Sequence, residues 1–149
     1  MKDKIKEYFI EASRHLKIAD HIIYITYPLV NEKRLLLKVL EELSKSIDYA
    51  IKAIVRFETK NKLESNEIFY LDYSKKYLNE EELKIVKQIN ELNNRHKDSA
   101  IEFPKKEKII IMADNLDIHA LDINTLKTYY MFIKNFILKT RNIILNNPL

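Results

Sequence analysis

The residues best suited to chemistry form a short cationic cluster, Arg95-His96-Lys97, which Asp98 and Ser99 follow. A neutral histidine can act as a general base towards a ribose hydroxyl, and flanking cations can stabilise the charge that develops on a phosphate. The same three residues also suit the C-terminus of a helix, where positive charge meets the negative end of the helix dipole. Both interpretations stay open, and we take Arg95, His96 and Lys97 as predicted phosphate contacts.

Three lysines after this cluster, Lys105, Lys106 and Lys108, complete the predicted phosphate-binding set. They belong to a basic C-terminal third, since residues 104–149 contain seven Lys or Arg against four Asp or Glu. The whole chain has a formal net charge of +4. A basic excess of this size permits contact with nucleic acid without requiring it.

A second set of candidate contacts is aromatic. Tyr70, Tyr73 and Tyr77 recur at steps of three and four residues, with Lys75 and Lys76 between them. Aromatic rings beside cations can stack on the bases of a single strand. Rings at helical spacing more often pack at the end of a bundle, and this alternative stays open beside the prediction that the three tyrosines stack on bases.

The composition excludes several classes of site. The 149 residues contain no glycine and no cysteine. A P-loop, a GxGxxG dinucleotide motif and a GxSxG nucleophile elbow all need glycine, and disulfides, thiolate nucleophiles and cysteine-based zinc sites need cysteine. The four histidines form neither HExxH nor a pair of ExxH motifs, so we predict no metal and no cofactor.

The chain also lacks the patterns of membrane proteins and secreted proteins. No apolar run approaches the roughly 18 residues that a membrane span requires. The N-terminus begins directly with an amphipathic pattern rather than with a signal-type apolar core. We therefore expect a soluble, cytoplasmic protein with no membrane partner.

Helical periodicity dominates the first half of the chain. It predicts one helix over roughly residues 3–26, which Pro28 should end because proline disfavours helical geometry in the preceding residue. A second helix, capped by Asn31 and running to about residue 60, should lie antiparallel to it. The apolar stripe of the first helix consists of Ile5, Phe9, Ala12, Leu16, Ala19 and Ile23.

The second half alternates between helical and strand patterns. Residues 60–66 are polar and predict a loop, and a short helical piece should follow from about Glu67 to Tyr77. Asn79 should cap a helix that ends near the Arg95-His96-Lys97 cluster. The apolar run 109–112 and a second run from Ile118 predict a β-hairpin over residues 107–122. Asp122 or Asn124 should cap the last helix.

These elements predict a mainly α protein: an up-down bundle of four to five helices, with a small β-hairpin at about 107–122 before the C-terminal helix. The two long helices, with the segments 11–19 (EASRHLKIA) and 45–53 (KSIDYAIKA), resemble a HEPN-like helical bundle. The resemblance covers nearly the whole chain and implies a single HEPN-like domain over residues 1–149. The chain also resembles a group of small uncharacterised archaeal proteins, which implies no activity.

Arg14 and His21 match the spacing of the arginine and histidine in HEPN-type ribonucleases, with six residues between them. In those nucleases the motif lies late in the chain, whereas here it lies in the first helix. Each of the two residues follows a stripe position by two, so both should point away from the core. We therefore assign no catalytic residue.

The cationic cluster and the resemblance together lead us to expect a non-enzymatic RNA- or ribonucleoprotein-associated binding module. Two alternatives stay open. One is a metal-independent ribonuclease of the HEPN type, with His96 or His21 as its base. The other is a protein–protein adaptor that forms a helical homodimer through its first or last helix.

Overall fold

The first helical run is longer than the sequence predicts. In the computed structural model, which describes residues 2–59 and 75–146, α1 (Lys2–His21) continues through a π turn (Ile22–Thr26) into the one-turn helix α2 (Tyr27–Val30). In a regular α-helix a proline ring clashes with the carbonyl four residues earlier. The wider π turn contains that carbonyl and relieves the clash. The prediction that Pro28 ends the helix is therefore wrong.

Asn31 ends this run instead of starting the next one. Its φ of 53° is left-handed, and its N–H donates to the carbonyl of Tyr27 at 2.8 Å. Asparagine tolerates this conformation better than most residues other than glycine, which suits it to a helix C-terminus. The prediction that Asn31 caps the second helix is wrong, because that helix, α3 (Leu35–Glu58), begins four residues later.

Helices α1 and α3 form the antiparallel pair that the apolar stripes predict. The hydroxyl of Ser46 on α3 donates to the carbonyl of Ala12 on α1 at 2.7 Å, and His15 of α1 meets Glu42 of α3 at 2.5 Å. Residue numbers rise along one helix as they fall along the other. Ala12 and Ser46 are fully buried, and such small side chains allow the two backbones to approach closely.

The third long helix, α4 (Glu80–Lys97), begins and ends where the sequence predicts. The side chain of Asn79 accepts from the N–H of Glu82, and the Glu82 carboxylate accepts from the N–H of Asn79, which makes a capping box. A single 3₁₀ turn (Lys75–Tyr77) precedes it. The rest of the helical piece predicted from Glu67 lies outside the described residues.

The predicted β-hairpin is confirmed and belongs to a three-stranded antiparallel sheet. Its strands are β1 (Ile101–Lys105), β2 (Lys108–Met112) and β3 (Ile118–Asp122), in the order β1-β2-β3. The sequence did not predict β1, which contains Pro104. Proline cannot donate to a strand ladder, and it is tolerated here because β1 is an edge strand.

The last helix, α5 (Ile123–Leu145), is capped by Asp122, whose carboxylate accepts from the N–H of Thr125 at 2.8 Å. Its buried apolar positions recur at helical spacing and include Leu126, Tyr130, Ile133 and Ile144. Lys139, late in α5, donates to Glu82 in the first turn of α4 at 2.7 Å, so these two helices run in opposite directions.

The remaining contacts complete an up-down arrangement. Tyr77, just before α4, donates to Glu58 at the end of α3, so α4 starts where α3 finishes. Tyr24, just past α1, lies against Tyr130 in the first half of α5. The four long helices therefore alternate in direction, which confirms the predicted bundle. None of the helices in the described ranges is long and apolar enough to cross a membrane.

Candidate functional site

Arg95, the first residue of the predicted phosphate site, is paired with carboxylates. Arg95 makes ion pairs with Asp117, before β3, and with Glu91 on its own helix at 3.2 Å. These carboxylates raise the pKa of Arg95 further above its usual range, with burial opposing them. The guanidinium therefore fixes the end of α4 to the sheet.

His96 is held more tightly still. Its Nδ1 lies 2.5 Å from Glu102 of β1, and its Nε2 lies 3.1 Å from Glu41 of α3. Burial would lower the pKa of His96, but the two carboxylates outweigh it and raise that pKa above its usual value. A histidine with both nitrogens engaged and its charged form favoured is poorly suited to act as a general base.

The lysines of the predicted set lie elsewhere. Strand register places Ile101 at one end of the sheet, near Arg95, and the pair Lys105 and Lys108 at the other end. Four residues of β-strand span about 13 Å. Lys106 occupies the turn between them with a φ of 56°, and all three lysines are exposed. The sheet thus separates the lysines from the Arg95 end of the predicted site.

Lys97 faces a different feature, a cleft between α3 and α4. The cleft has a volume of about 310 Å³, and its lining includes Lys45, Asn93 and His96 as well as Lys97. Its walls carry charges of both signs, because Glu41 also lines it. Because its walls carry both signs of charge, we do not expect this cleft to bind anions strongly.

Of the three predicted stacking tyrosines, Tyr77 belongs to the described residues. Tyr70 and Tyr73 lie outside the described residues. Tyr77 is buried, and its hydroxyl donates to Glu58. Burial raises the pKa of Tyr77 well above its usual value, and the Glu58 carboxylate adds to the shift. The Tyr77 ring packs inside the bundle and is not open to a base.

The Arg14 and His21 pair lies on the outer surface, as the stripe predicts. Both side chains are exposed. Arg14 donates to Glu11 at 2.8 Å, and the Nδ1 atom of His21 lies 3.2 Å from the hydroxyl of Thr26. Each is thus held by a neighbour along its own helical run.

The structure also contains a buried hydrogen-bonded pair, His15 and Glu42, that the sequence does not predict. The two side chains are at most 9% exposed, and the His15 ring stacks on Tyr49 with centroids 5.6 Å apart. Burial would raise the pKa of Glu42, yet hydrogen bonds from Lys38 and His15 outweigh it and lower that pKa. Only the fold brings these residues together, since 26 residues lie between them.

The strongest candidate site is a groove between α1 and α5, which we call the α1–α5 groove. Its volume is about 930 Å³. Apolar side chains including Phe9 and Ile137 line it, and Ile10 and Leu138 remain substantially exposed beside them. The charged groups that line it are five cations and one carboxylate: Lys6, Arg14, Lys17, Lys134, Arg141 and Asp20.

Most of these cations are available to a ligand. Within the described ranges, Lys6, Lys17 and Arg141 make no ion pair with a carboxylate. The one carboxylate, Asp20, interacts with the hydroxyl of Tyr130. Burial and then this carboxylate raise the pKa of Tyr130 to about 12, so the hydroxyl keeps its proton. The groove therefore carries an excess of positive charge, although Arg14 is paired with Glu11.

An exposed aromatic ring lies beside the groove. Tyr24 belongs to the π turn after α1 and is 45% exposed. Its ring meets Tyr130, which lines the groove, edge to face with centroids 6.1 Å apart. Lys127 lies over the Tyr24 ring, with its Nζ 5.7 Å from the centroid. Cations and an open ring thus lie side by side, as in surfaces that bind single strands.

No family model, curated protein or solved structure matches this chain. The HEPN-like resemblance accordingly stays an expectation from sequence. Within the described residues, no group of three or more His, Asp or Glu side chains could hold a metal ion. The chemistry of the α1–α5 groove must be argued from its own residues.

One regularity in the sequence could have pointed to this groove. Lys127, Lys134 and Arg141 follow one another at intervals of seven residues, close to two helical turns. They therefore share one side of α5. The interval alone did not identify a site, because the other wall comes from α1, more than a hundred residues away in the chain.

Proposed function

We propose that this chain is a non-enzymatic RNA-binding module, HEPN-like in type, and that RNA contacts it through the α1–α5 groove. The observation that carries the proposal is the charge of the groove, whose lining includes five cations and a single carboxylate. Cations that line a channel contact the phosphates of a nucleic acid and supply most of its sequence-independent affinity.

The other surfaces of the groove favour a single strand over a duplex. A single strand exposes its bases, which can stack on aromatic rings and cover apolar side chains. Tyr24 offers an exposed ring, and Ile10 and Leu138 offer exposed apolar surface. Lys127 over the Tyr24 ring supplies a cation close to the place where a stacked nucleotide would lie.

The positions of the histidines favour RNA binding without cleavage. His96 has both ring nitrogens bonded to carboxylates, and it lies between α3, α4 and β1 rather than in the groove. His21 is bonded to Thr26. Neither of the two bases considered for a ribonuclease lines the α1–α5 groove.

A protein partner is the second candidate, and the exposed apolar residues of the groove favour it. An acidic amphipathic helix could place its apolar face on Ile10 and Leu138 and its carboxylates near Lys134 and Arg141. This interpretation predicts affinity for an acidic amphipathic peptide and none for RNA at low salt.

The experiment is fluorescence anisotropy with a labelled single-stranded RNA at low salt. The test variant removes three groove cations together: Lys17→Ala, Lys134→Ala and Arg141→Ala. All three side chains are exposed, so the fold should be retained. We expect the affinity to fall about tenfold or more, because three phosphate contacts are lost.

The matched control removes the same number of charges from the sheet: Lys105→Ala, Lys106→Ala and Lys108→Ala. These residues belong to the site that the sequence predicts and are likewise exposed. We expect little change in affinity. A large loss in this control and none in the groove variant would move the site to the sheet, and no RNA binding by the wild type would reject RNA altogether.

A further inference from the structure

Among the described residues that line the α1–α5 groove, Asp20 is the one that carries a carboxylate. Five cations share the lining with it, and cations suit phosphates. A carboxylate repels phosphates, so its presence weakens the part of the affinity that the cations supply. What Asp20 can do is accept hydrogen bonds, because an ionised carboxylate is an acceptor only.

Asp20 is positioned by Tyr130 of α5 and still has room for another donor. The Tyr130 hydroxyl keeps its proton and interacts with Asp20 as a hydrogen-bond donor. One such donor occupies one of the roughly four lone-pair positions on the two carboxylate oxygens. Asp20 is half-buried, and none of the ion pairs within the described ranges includes it. The carboxylate can therefore accept from a ligand in the groove.

Three side chains follow one another along α1 and the π turn after it: Lys17, Asp20 and Tyr24. Steps of three and four residues place side chains next to one another on one side of a helix. Asp20 and Tyr24 also share a neighbour on α5. Asp20 interacts with the hydroxyl of Tyr130, and the Tyr24 ring meets the Tyr130 ring with centroids 6.1 Å apart. This wall of the groove thus offers a cation, then an acceptor, then an exposed ring.

The parts of a nucleotide have the same order. Its phosphate suits Lys17, which is exposed, and its base can stack on the ring of Tyr24, which is 45% exposed. The ribose lies between the phosphate and the base, and so it meets Asp20. The 2′-hydroxyl of that ribose can donate a hydrogen bond, and it is the group that distinguishes RNA from DNA.

The facing wall, from α5, suits the two phosphates that flank a nucleotide inside a strand. The Nζ atom of Lys127 lies 5.7 Å from the ring centroid of Tyr24, and that of Lys134 lies 5.9 Å from the ring centroid of Tyr130. The two lysines are about 10.5 Å apart along the helix axis, on either side of Tyr130. A ribose beside Asp20 and Tyr130 would therefore have a cation on each side.

We propose, on the basis of the proposed RNA-binding function, that Asp20 accepts a hydrogen bond from the 2′-hydroxyl of the nucleotide stacked on Tyr24. The α1–α5 groove thereby selects RNA over single-stranded DNA. A hydrogen bond to a charged acceptor is stronger than one to a neutral acceptor. DNA offers no donor at this place and meets the carboxylate only as a repulsive charge. We expect RNA to bind about tenfold more tightly than DNA.

The test is fluorescence anisotropy with three labelled single strands that share one sequence of adenines and cytosines: RNA, DNA and 2′-fluoro RNA. Fluorine replaces the 2′-hydroxyl in the third strand, which keeps the sugar pucker of RNA but cannot donate a hydrogen bond. The wild type should bind RNA about tenfold more tightly than either other strand. A preference over both strands reports the donated hydrogen bond, because sugar shape and bases are matched.

Asp20→Ala removes the acceptor, and it should lower the affinity for RNA to the affinity for DNA. Glu7→Ala is the matched control, since it removes one carboxylate from the same helix at an exposed position that pairs with Lys4 at 3.4 Å. Glu7 does not line the groove, so this variant should keep the tenfold preference. The readout is a ratio of two affinities, and partial unfolding of a variant lowers both affinities without changing the ratio.

The outcomes separate the role of Asp20 from RNA binding itself. A wild type that binds RNA as weakly as DNA or 2′-fluoro RNA overturns the role of Asp20 and leaves RNA binding in the groove intact. So does a preference for RNA that survives in Asp20→Ala, since the 2′-hydroxyl would then be recognised elsewhere. A wild type that binds none of the strands rejects the groove as an RNA site, and the role of Asp20 with it.

Discussion

Glu41 and Glu42 are consecutive on α3, yet their carboxylates hold histidines of two different helices. Glu41 accepts from His96 of α4 at 3.1 Å, and Glu42 lies 2.5 Å from His15 of α1. Neighbouring positions on a helix point about 100° apart, so one segment of α3 can tie down both flanking helices. The polar contacts of α3 thus organise the bundle as much as its apolar stripe does.

The first prediction concerns the buried pair. Glu42→Ala removes the acceptor of both His15 and Lys38, and we expect it to lower the free energy of unfolding by about 3 kcal/mol. Glu11→Ala removes a carboxylate from an exposed pair with Arg14 and should change stability by less than about 1 kcal/mol. Urea denaturation measures both, and equal losses in the two variants would contradict the account.

The second prediction concerns pH. Glu102 and Glu41 raise the pKa of His96 in the folded protein, although burial opposes them. A raised folded-state pKa stabilises the protein below the unfolded value of about 6.5, and this stabilisation is lost as pH rises through the folded-state pKa. Wild type should therefore be more stable than His96→Gln at about pH 6. The difference in their free energies of unfolding should be smaller at about pH 9.

NMR titration of the His96 ring gives the direct check on this sign. A midpoint above about 6.5 agrees with the raised pKa, and a midpoint at or below that value contradicts it.

The third prediction follows from the absence of glycine. Leu116 adopts a φ of 66° and is 74% exposed. A left-handed conformation costs a residue with a Cβ about 1–2 kcal/mol, whereas glycine adopts it freely. Leu116→Gly should therefore stabilise the fold by about 0.5–1 kcal/mol. Leu116→Ala keeps the Cβ and should give no such gain, and thermal melts that rank the two the other way would refute the explanation.

The fourth prediction tests the aromatic part of the groove. Tyr24→Ala removes an exposed ring and should weaken the binding of single-stranded RNA by about 1–3 kcal/mol. Tyr24→Phe keeps the ring and should bind as the wild type does. An oligonucleotide without bases should not distinguish Tyr24→Ala from wild type, and a loss of affinity for that oligonucleotide would show that Tyr24 acts on the backbone.

The fold was largely predictable because the apolar stripes are long and regular. Each stripe position from Ile5 to Ile23 is buried, and Asn79 and Asp122 cap their helices as predicted. Local rules failed where tertiary structure overrides them. Pro28 is accommodated by a π turn, and Pro104 lies on an edge strand that sheet pairing stabilises.

The candidate site was less predictable for a physical reason. The cations that line the groove come from the two ends of the chain, such as Lys17 and Arg141, and only the packing of α1 on α5 brings them to one surface. The cluster around His96 is recognisable in the sequence because its residues are adjacent. The fold places carboxylates from α3 and β1 against it, and sequence reasoning had no means of locating them.

The salt dependence of RNA binding tests the central claim most directly. The logarithm of the binding constant should fall linearly with the logarithm of salt concentration, by about 0.7 for each phosphate contact to a single strand. We predict that the variant lacking Lys17, Lys134 and Arg141 has a slope smaller than the wild type by about 2. An unchanged slope would contradict the assignment of the α1–α5 groove as the RNA-binding surface.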